Sequence, residues 1–183
     1  LGRPLPERVA GIDLMMGMLE QGKAGGYRVY CLGASPDVLG RVVDRIRREY
    51  PGVNVVGSHH GYFTNDEEAA VARDIAATQP DILFIAMTSP KKERFLSKWS
   101  RELDVPVCHG VGGSFDVVAG QGQRAPESWQ RLGLEWLYRD KQEPGRLWKR
   151  YLTTNSAFAL MVASAFVRQQ LSRVRSTARV APT

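Results

Sequence analysis

The stretch Ile82-Leu-Phe-Ile-Ala-Met87 follows Pro80-Asp81 and holds neither a polar residue nor any alternation. A strand wet on one face alternates. One without alternation is buried on both faces, as in a parallel sheet covered by helices. On its N-terminal side, Arg28-Val-Tyr-Cys-Leu-Gly33 reads as a strand ending in a glycine turn. Pro36 to Tyr50 follows as a helix, with Pro36 near its first turn and Val38, Leu39, Val42, Val43 and Ile46 on one face. Val53-Asn-Val-Val56 is a second strand, ended by Gly57 and the loop His59-His-Gly-Tyr-Phe63. Asn65 or Asp66 caps the next helix, which carries Glu67 and Glu68 in its first turn and runs to about Thr78. On the C-terminal side, Ser89-Pro90 opens a helix with Phe95, Leu96 and Trp99 on its apolar side. Val105-Pro-Val-Cys-His109 is the fourth strand, and the glycine-rich Gly110-Val-Gly-Gly-Ser114 follows.

Four strand–helix repeats predict an α/β fold, a Rossmann-like doubly wound parallel sheet. Right-handed crossovers bring the loops after Leu32, Val56, Met87 and His109 to one edge, where open sheets of this kind bind ligands. After Gln121 the pattern changes. A helix is expected from Arg124-Ala-Pro-Glu127 through Trp129, Leu132, Leu134, Trp136 and Leu137. Pro144-Gly145 breaks the chain, Arg146 to Leu152 restarts it, and Ser156 to Leu171 carries Phe158, Leu160, Met161, Val162, Phe166 and Val167. That last apolar core is about half of the roughly 20 residues a spanning helix needs, so it reads as a packing or interfacial helix. The end from Leu171 onward is expected to fray. Two domains follow: residues 1–138 as the ligand-binding body, and 139–183 as a basic helical, membrane-associating appendage and tail.

The chain has 183 residues, 43% hydrophobic and 24% charged, enough for one domain with a core that needs no staples. Its net charge of +6 is unevenly placed. Residues 1–138 carry 16 Lys/Arg against 17 Asp/Glu, and residues 139–183 carry 9 against 2. A nucleic-acid binder spreads its basic residues over a folded face, so nucleic acid is not the expected partner. A basic tail beside an apolar helix fits an anionic membrane surface, or is simply solvated. Cys31 and Cys108 lack metal-ligand spacing and sit in apolar runs, which predicts a reduced, buried, cytosolic pair.

Several groups at the expected edge carry chemistry. In Gly33-Ala-Ser-Pro36, backbone amides at a helix N-terminus suit phosphate oxygens, although the turn is neither a GxGxxG nor a Walker A loop. In Gly110-Val-Gly-Gly-Ser-Phe-Asp116, three glycines let a ligand approach the main chain, and the Asp116 carboxylate can accept from a ribose hydroxyl or a base N–H. Sharp chain reversal alone is the other explanation. Lys91 and Lys92 place two ammonium groups where the helix dipole disfavours cations, which points to an anionic ligand such as a diphosphate, or to plain solvation. His59-His60 has no third ligand at metal-site spacing, and Tyr62 and Phe63 either stack on a base or plug the sheet edge. Arg146, Lys149 and Arg150 share one helical face, suited to phosphates of a ligand or a lipid.

These segments, taken in order, resemble a known family. Arg8-Val-Ala-Gly-Ile-Asp13, His59-His-Gly-Tyr-Phe63, Ser89-Pro-Lys-Lys-Glu93, Gly110-Val-Gly-Gly-Ser-Phe-Asp116, Arg124-Ala-Pro126, Leu132-Gly-Leu-Glu-Trp-Leu-Tyr-Arg139, Gln142-Glu-Pro144 and Arg146-Leu-Trp-Lys-Arg-Tyr-Leu152 are similar to the WecG/TagA/CpsF glycosyltransferases, glycosyltransferase family 26. The likeness covers about Pro4 to Leu152. It implies an inverting, metal-independent, cofactor-free transferase on the cytoplasmic membrane face, with no nucleic-acid partner. Such an enzyme moves a sugar, often N-acetylmannosamine, from a UDP donor to an undecaprenyl-diphosphate-linked acceptor in cell-surface polysaccharide synthesis. A homo-oligomer is a further expectation, from apolar tail residues exposed off the membrane.

By the same resemblance, Arg8, Arg139 and Arg146 are expected catalytic cations, and Lys92, by its departure from the family pattern, adds one beside the diphosphate. Arg8 lies near the donor, and Arg139, Arg146 and Lys149 belong to an appendage that closes over the active site at the membrane. Substrate contacts are expected from Gly33, Ala34, Ser35, His60, Tyr62, Lys91, Glu93, Gly112, Gly113, Ser114, Phe115, Asp116 and Lys149, with Tyr62 and Asp116 holding the uridine. Lys92 stands where many members have glutamine, and Asp140-Lys141 stands where members usually have two apolar residues. The family also carries an upstream Asn-x-Asp-Gly segment whose aspartate is the expected base. No such segment occurs in Leu1–Thr183, and Asp13, Glu93 and Asp116 do not match it. Inverting transfer needs that carboxylate, so weak or no turnover is expected of this polypeptide alone, and a non-catalytic nucleotide- or lipid-binding module is the alternative.

Overall fold

The computed structural model describes residues 9–142, 152–154, 156–166 and 168. They fall into two compact units, one within Glu7–Gln123 and one from Arg124 onward.

In the first unit the elements run α1 (Gly11–Gly25), β1 (Arg28–Gly33), α2 (Pro36–Glu49), β2 (Asn54–His59), α3 (Glu68–Thr78), β3 (Ile82–Ala86), α4 (Lys91–Leu103), β4 (Val107–Gly110) and α5 (Ser114–Val118). The four strands form one parallel sheet in the order β2-β1-β3-β4. Both faces are covered. Val29, Cys31, Ile82 and Phe84 pack with α1, α2 and α5, whereas Tyr30, Leu32, Leu83 and Ile85 pack with α3 and α4. The side-chain period of two therefore sends successive residues of β1 and β3 into two different cores, which is why the central runs show no polar alternation.

Four readings need correction. Neither Asn65 nor Asp66 caps α3: Glu67 stands at its N-cap, outside the first turn, with its carboxylate turned back onto Thr64. Gly57 does not end the second strand but lies inside β2, opposite Tyr30, where the register with β1 shifts. A Cβ there would sit 2.5 Å from Tyr30 Cε2, so the glycine makes room for a buried ring instead of a turn. Cys31 is buried but Cys108 is exposed, because β4 is an edge strand; both are free thiols. Finally, the helix expected from Arg124 to Leu137 is two helices in the second unit, α6 (Glu127–Arg131) and α7 (Glu135–Gln142), parted by Gly133 at φ +71°. Trp129 and Tyr138 meet edge to face across that break, with ring centroids 5.7 Å apart.

Residues 156–166 are helical. Their Phe158, Leu160, Met161, Val162 and Phe166 are exposed. Among the described residues, no helix is long and apolar enough to cross a membrane. The expectations for Pro144-Gly145, for Arg146–Tyr151 and for the end from Leu171 lie outside the described residues.

Candidate active site

The strand order reverses direction at β1 and β3. From β1 the chain leaves through α2 toward β2, and from β3 it leaves through α4 toward β4, with the two helices on opposite faces. In sheets of this kind the loops part at such a point, and the crevice outside the carboxyl edge there is the usual ligand position.

Gly33, Ala34 and Ser35 form one wall. Gly33 has φ +123°, and a Cβ on it would lie 2.4 Å from the Ala86 carbonyl oxygen. Only glycine lets β1 run this close to β3. Ala34 follows at φ +58°, a region alanine enters at a cost of about 1–3 kcal/mol. Two hydrogen bonds hold it there: its N–H donates to Ala86 O at 3.0 Å, and its carbonyl accepts from Gly61 N–H at 2.9 Å. Ser35 caps α2, its hydroxyl accepting from Val38 N–H at 3.4 Å. The β1–α2 turn is thereby tied to the loop that follows β2.

That second loop holds His60 and Tyr62. His59 Nδ1 lies 2.8 Å from the His60 carbonyl, and His60 Nδ1 accepts from Tyr62 N–H at 3.2 Å. Phe63 is buried against Phe95, whereas Tyr62 is 75% exposed. Glu67 closes the loop by accepting from both the N–H and the hydroxyl of Thr64. Those bonds hold its carboxyl below the usual range, helped by the nearby His59 and His60.

The two lysines at the start of α4 have different surroundings. Lys91 Nζ donates to Gly61 O at 2.9 Å and Phe63 O at 2.7 Å, and lies 3.9 Å from the Phe63 ring centroid. Its position against the helix dipole therefore has an internal answer. Lys92 instead crosses the end of β4. Gly110 leaves it room, since a Cβ there would be 2.9 Å from Lys92 Nζ. Glu93 is 3.4 Å from Lys92 Nζ. The Glu93 carboxyl is held below the usual range chiefly by its own backbone N–H in the first turn, then by Lys92 and Ser89.

The loop after β4 completes the edge. Gly112 has φ +52° and open space where a side chain would be. Gly113 precedes α5, a short helix in what reads from sequence as loop. Ser114 is buried, and Phe115 is fully buried in the core with α2 and β3, so its ring serves packing. Asp116 sits in the first turn of α5, and its carbonyl accepts from Gln121 and Gly122 N–H.

The structure thus gathers Gly33, Ala34, Ser35, His60, Tyr62, Lys91, Lys92, Glu93, Gly112, Gly113 and Asp116 at one sheet edge, in loops and in the first turns of α4 and α5. Arg8, Arg146 and Lys149 lie outside the described residues, as does the side chain of Arg139 in α7. Sequence reasoning missed α1, whose start meets the same edge: His109 Nε2 is 2.9 Å from the Gly11 carbonyl. The signal was there in Ile12, Met15 and Leu19, which are spaced for one helical face and are buried. It also missed a groove of about 390 Å³ between α2 and the edge strand β2, lined by Leu39, Val43, Asp44, Arg47, His59 and His60 among others.

The glycosyl transferase WecG/TagA/CpsF family model matches residues 1–173. An N-acetylglucosaminyldiphosphoundecaprenol N-acetyl-beta-D-mannosaminyltransferase of Bacillus spizizenii is 38% identical over 153 residues, which cover 84% of this chain and 58% of that protein. The chain thus spans less than two thirds of the length of this curated relative. On the strength of the family match and of that relative, the chain belongs to the WecG/TagA/CpsF family of glycosyl transferases.

Proposed function

We propose that this chain carries the donor site of an inverting glycosyltransferase. Its donor is a UDP-linked sugar of the N-acetylmannosamine type, and its acceptor an undecaprenyl-diphosphate-linked glycan of cell-surface polysaccharide synthesis. One observation carries the reading: the Lys92 ammonium lies over Gly110, where the glycine-rich segment begins, at the carboxyl edge of a parallel sheet in a chain of this family. The relative's own name describes mannosaminyl transfer to a lipid-diphosphate-linked sugar.

In the proposed reaction the acceptor hydroxyl attacks the anomeric carbon. The new C–O bond forms as the bond to the diphosphate breaks, the hydroxyl proton passes to a carboxylate base, and UDP leaves with the bonding electron pair. Charge grows on the diphosphate, and a fixed ammonium beside it lowers the barrier most when water is excluded. Lys92 takes that role, with Tyr62 and Asp116 on the uridine, and Gly33, Ala34 and Ser35 lining the phosphates. No metal is required in this scheme. Arg8, Arg139, Arg146 and Lys149 act as further cations toward diphosphate or lipid. The excess of Lys/Arg after residue 138, with the exposed apolar residues of 156–166, supports peripheral attachment to the inner face of the plasma membrane, where self-association covers apolar surface away from lipid.

The test is transfer of N-acetylmannosamine from its UDP donor to undecaprenyl-diphosphate-linked N-acetylglucosamine by the full-length protein, with and without EDTA. Product with inverted anomeric configuration in both conditions is expected. Absence of transfer together with absence of UDP binding would overturn the reading.

A further inference from the structure

We infer that Lys91 is a positioning residue: it fixes the loop that presents Tyr62 to the donor and leaves the diphosphate to other groups. The inference rests on the donor site proposed above. Its ground is that one ammonium holds the carbonyls on both sides of Tyr62, those of Gly61 and Phe63, at 2.9 and 2.7 Å. An ammonium has three N–H donors, and two are committed here. Its charge is answered further by the face of the Phe63 ring, 3.9 Å away.

Tyr62 has little else to orient it. The residue is 75% exposed, and its backbone N–H donates to His60 Nδ1, its one hydrogen bond among the described residues. The neighbours on either side, by contrast, are anchored. Gly61 N–H donates to Ala34 O, and the Phe63 ring is buried against Phe95 and meets His59 edge to face. The clamp thus fixes the peptide plane entering Tyr62 and the one leaving Phe63, and so brackets the short stretch from which the Tyr62 ring projects. Moving the Lys91 ammonium onto a phosphate would strip two carbonyls of a charged donor, each such bond being stronger than a neutral one. Lys92, which bonds no carbonyl of this loop, differs in kind from its neighbour.

The experiment is calorimetric titration of the full-length protein with UDP and, separately, with uridine. A residue that positions Tyr62 affects both ligands alike, whereas a phosphate ligand affects only UDP. Lys91→Met is expected to weaken both by about tenfold, and Lys91→Arg to recover most of the loss because a guanidinium donates to both carbonyls. The double variant Lys91→Met with Tyr62→Ala is expected to bind no more weakly than Tyr62→Ala alone. If Lys91→Met melts below the titration temperature, Lys91→Gln takes its place, with an expected loss of about threefold for both ligands. A loss confined to UDP, a fully additive double variant, or unchanged affinity overturns the inference while leaving the donor site standing. Wild-type protein that binds neither ligand overturns the donor site itself.

Discussion

The Lys92 side chain passes over Gly110, and a Cβ on that glycine would fall 2.9 Å from Lys92 Nζ and 3.1 Å from its Cδ. The atoms in the way belong to a flexible side chain, so Gly110→Ala displaces the ammonium without breaking the strand. We expect a stability change within about 1 kcal/mol and a fall in UDP affinity of several-fold. Thermal melting and calorimetry on the same samples read the two effects separately.

Gly33 presents the opposite case. A Cβ there would meet the Ala86 backbone at 2.4 Å, and φ is +123°. Backbone cannot give way as a lysine can. Gly33→Ala is expected to destabilise by about 3 kcal/mol or more, seen as a lower urea midpoint. Gly40→Ala is the control. It lies within α2 with nothing near its Cβ position, and should stabilise by roughly 0.5–1 kcal/mol.

Glu68 joins α3 to α4. It is 8% exposed, and its carboxylate accepts from Lys98 Nζ at 3.1 Å and from Trp99 Nε1 at 3.3 Å. Glu68→Ala leaves the indole N–H without its acceptor and should cost about 2 kcal/mol, whereas Glu68→Gln keeps that acceptor and should cost about half as much. Chemical denaturation at neutral pH measures both.

Burial pushes the Cys31 thiol up to about 12, with Arg47 pulling weakly the other way. A raised folded-state value means stability that is whole below the unfolded-state pKa of 9.0 and is lost as pH rises above it. From pH 9 upward, Cys31 alone is expected to remove stability at about 0.7 kcal/mol per pH unit, steepening to about 1.2 by pH 10. Cys31→Ala should start less stable and fall off less steeply. Denaturation midpoints from pH 8 to 10.5 check the slope.

The sheet was legible because β1 and β3 are apolar on both faces, a pattern that only double coverage explains. Less was legible where one residue type serves two ends. Gly57 looks like a terminator yet makes space for Tyr30, a fact that depends on a strand 27 residues earlier in the chain. Gly133 is hidden within a helical pattern of apolar residues, although its positive φ parts α6 from α7. At the site, the loops of Gly33, Tyr62, Lys92 and Gly112 were placed together by topology alone. The division of labour between Lys91 and Lys92 was not readable, because both are adjacent cations at one helix start. Only the carbonyls of Gly61 and Phe63 separate them.

The most direct measurement is a crystal structure of the protein soaked with UDP. The nucleotide is expected in the crevice between β1 and β3, its diphosphate within reach of Lys92 and its uridine beside Tyr62 and Asp116. Density for UDP elsewhere, such as the groove between α2 and β2, with the crevice empty, would contradict it.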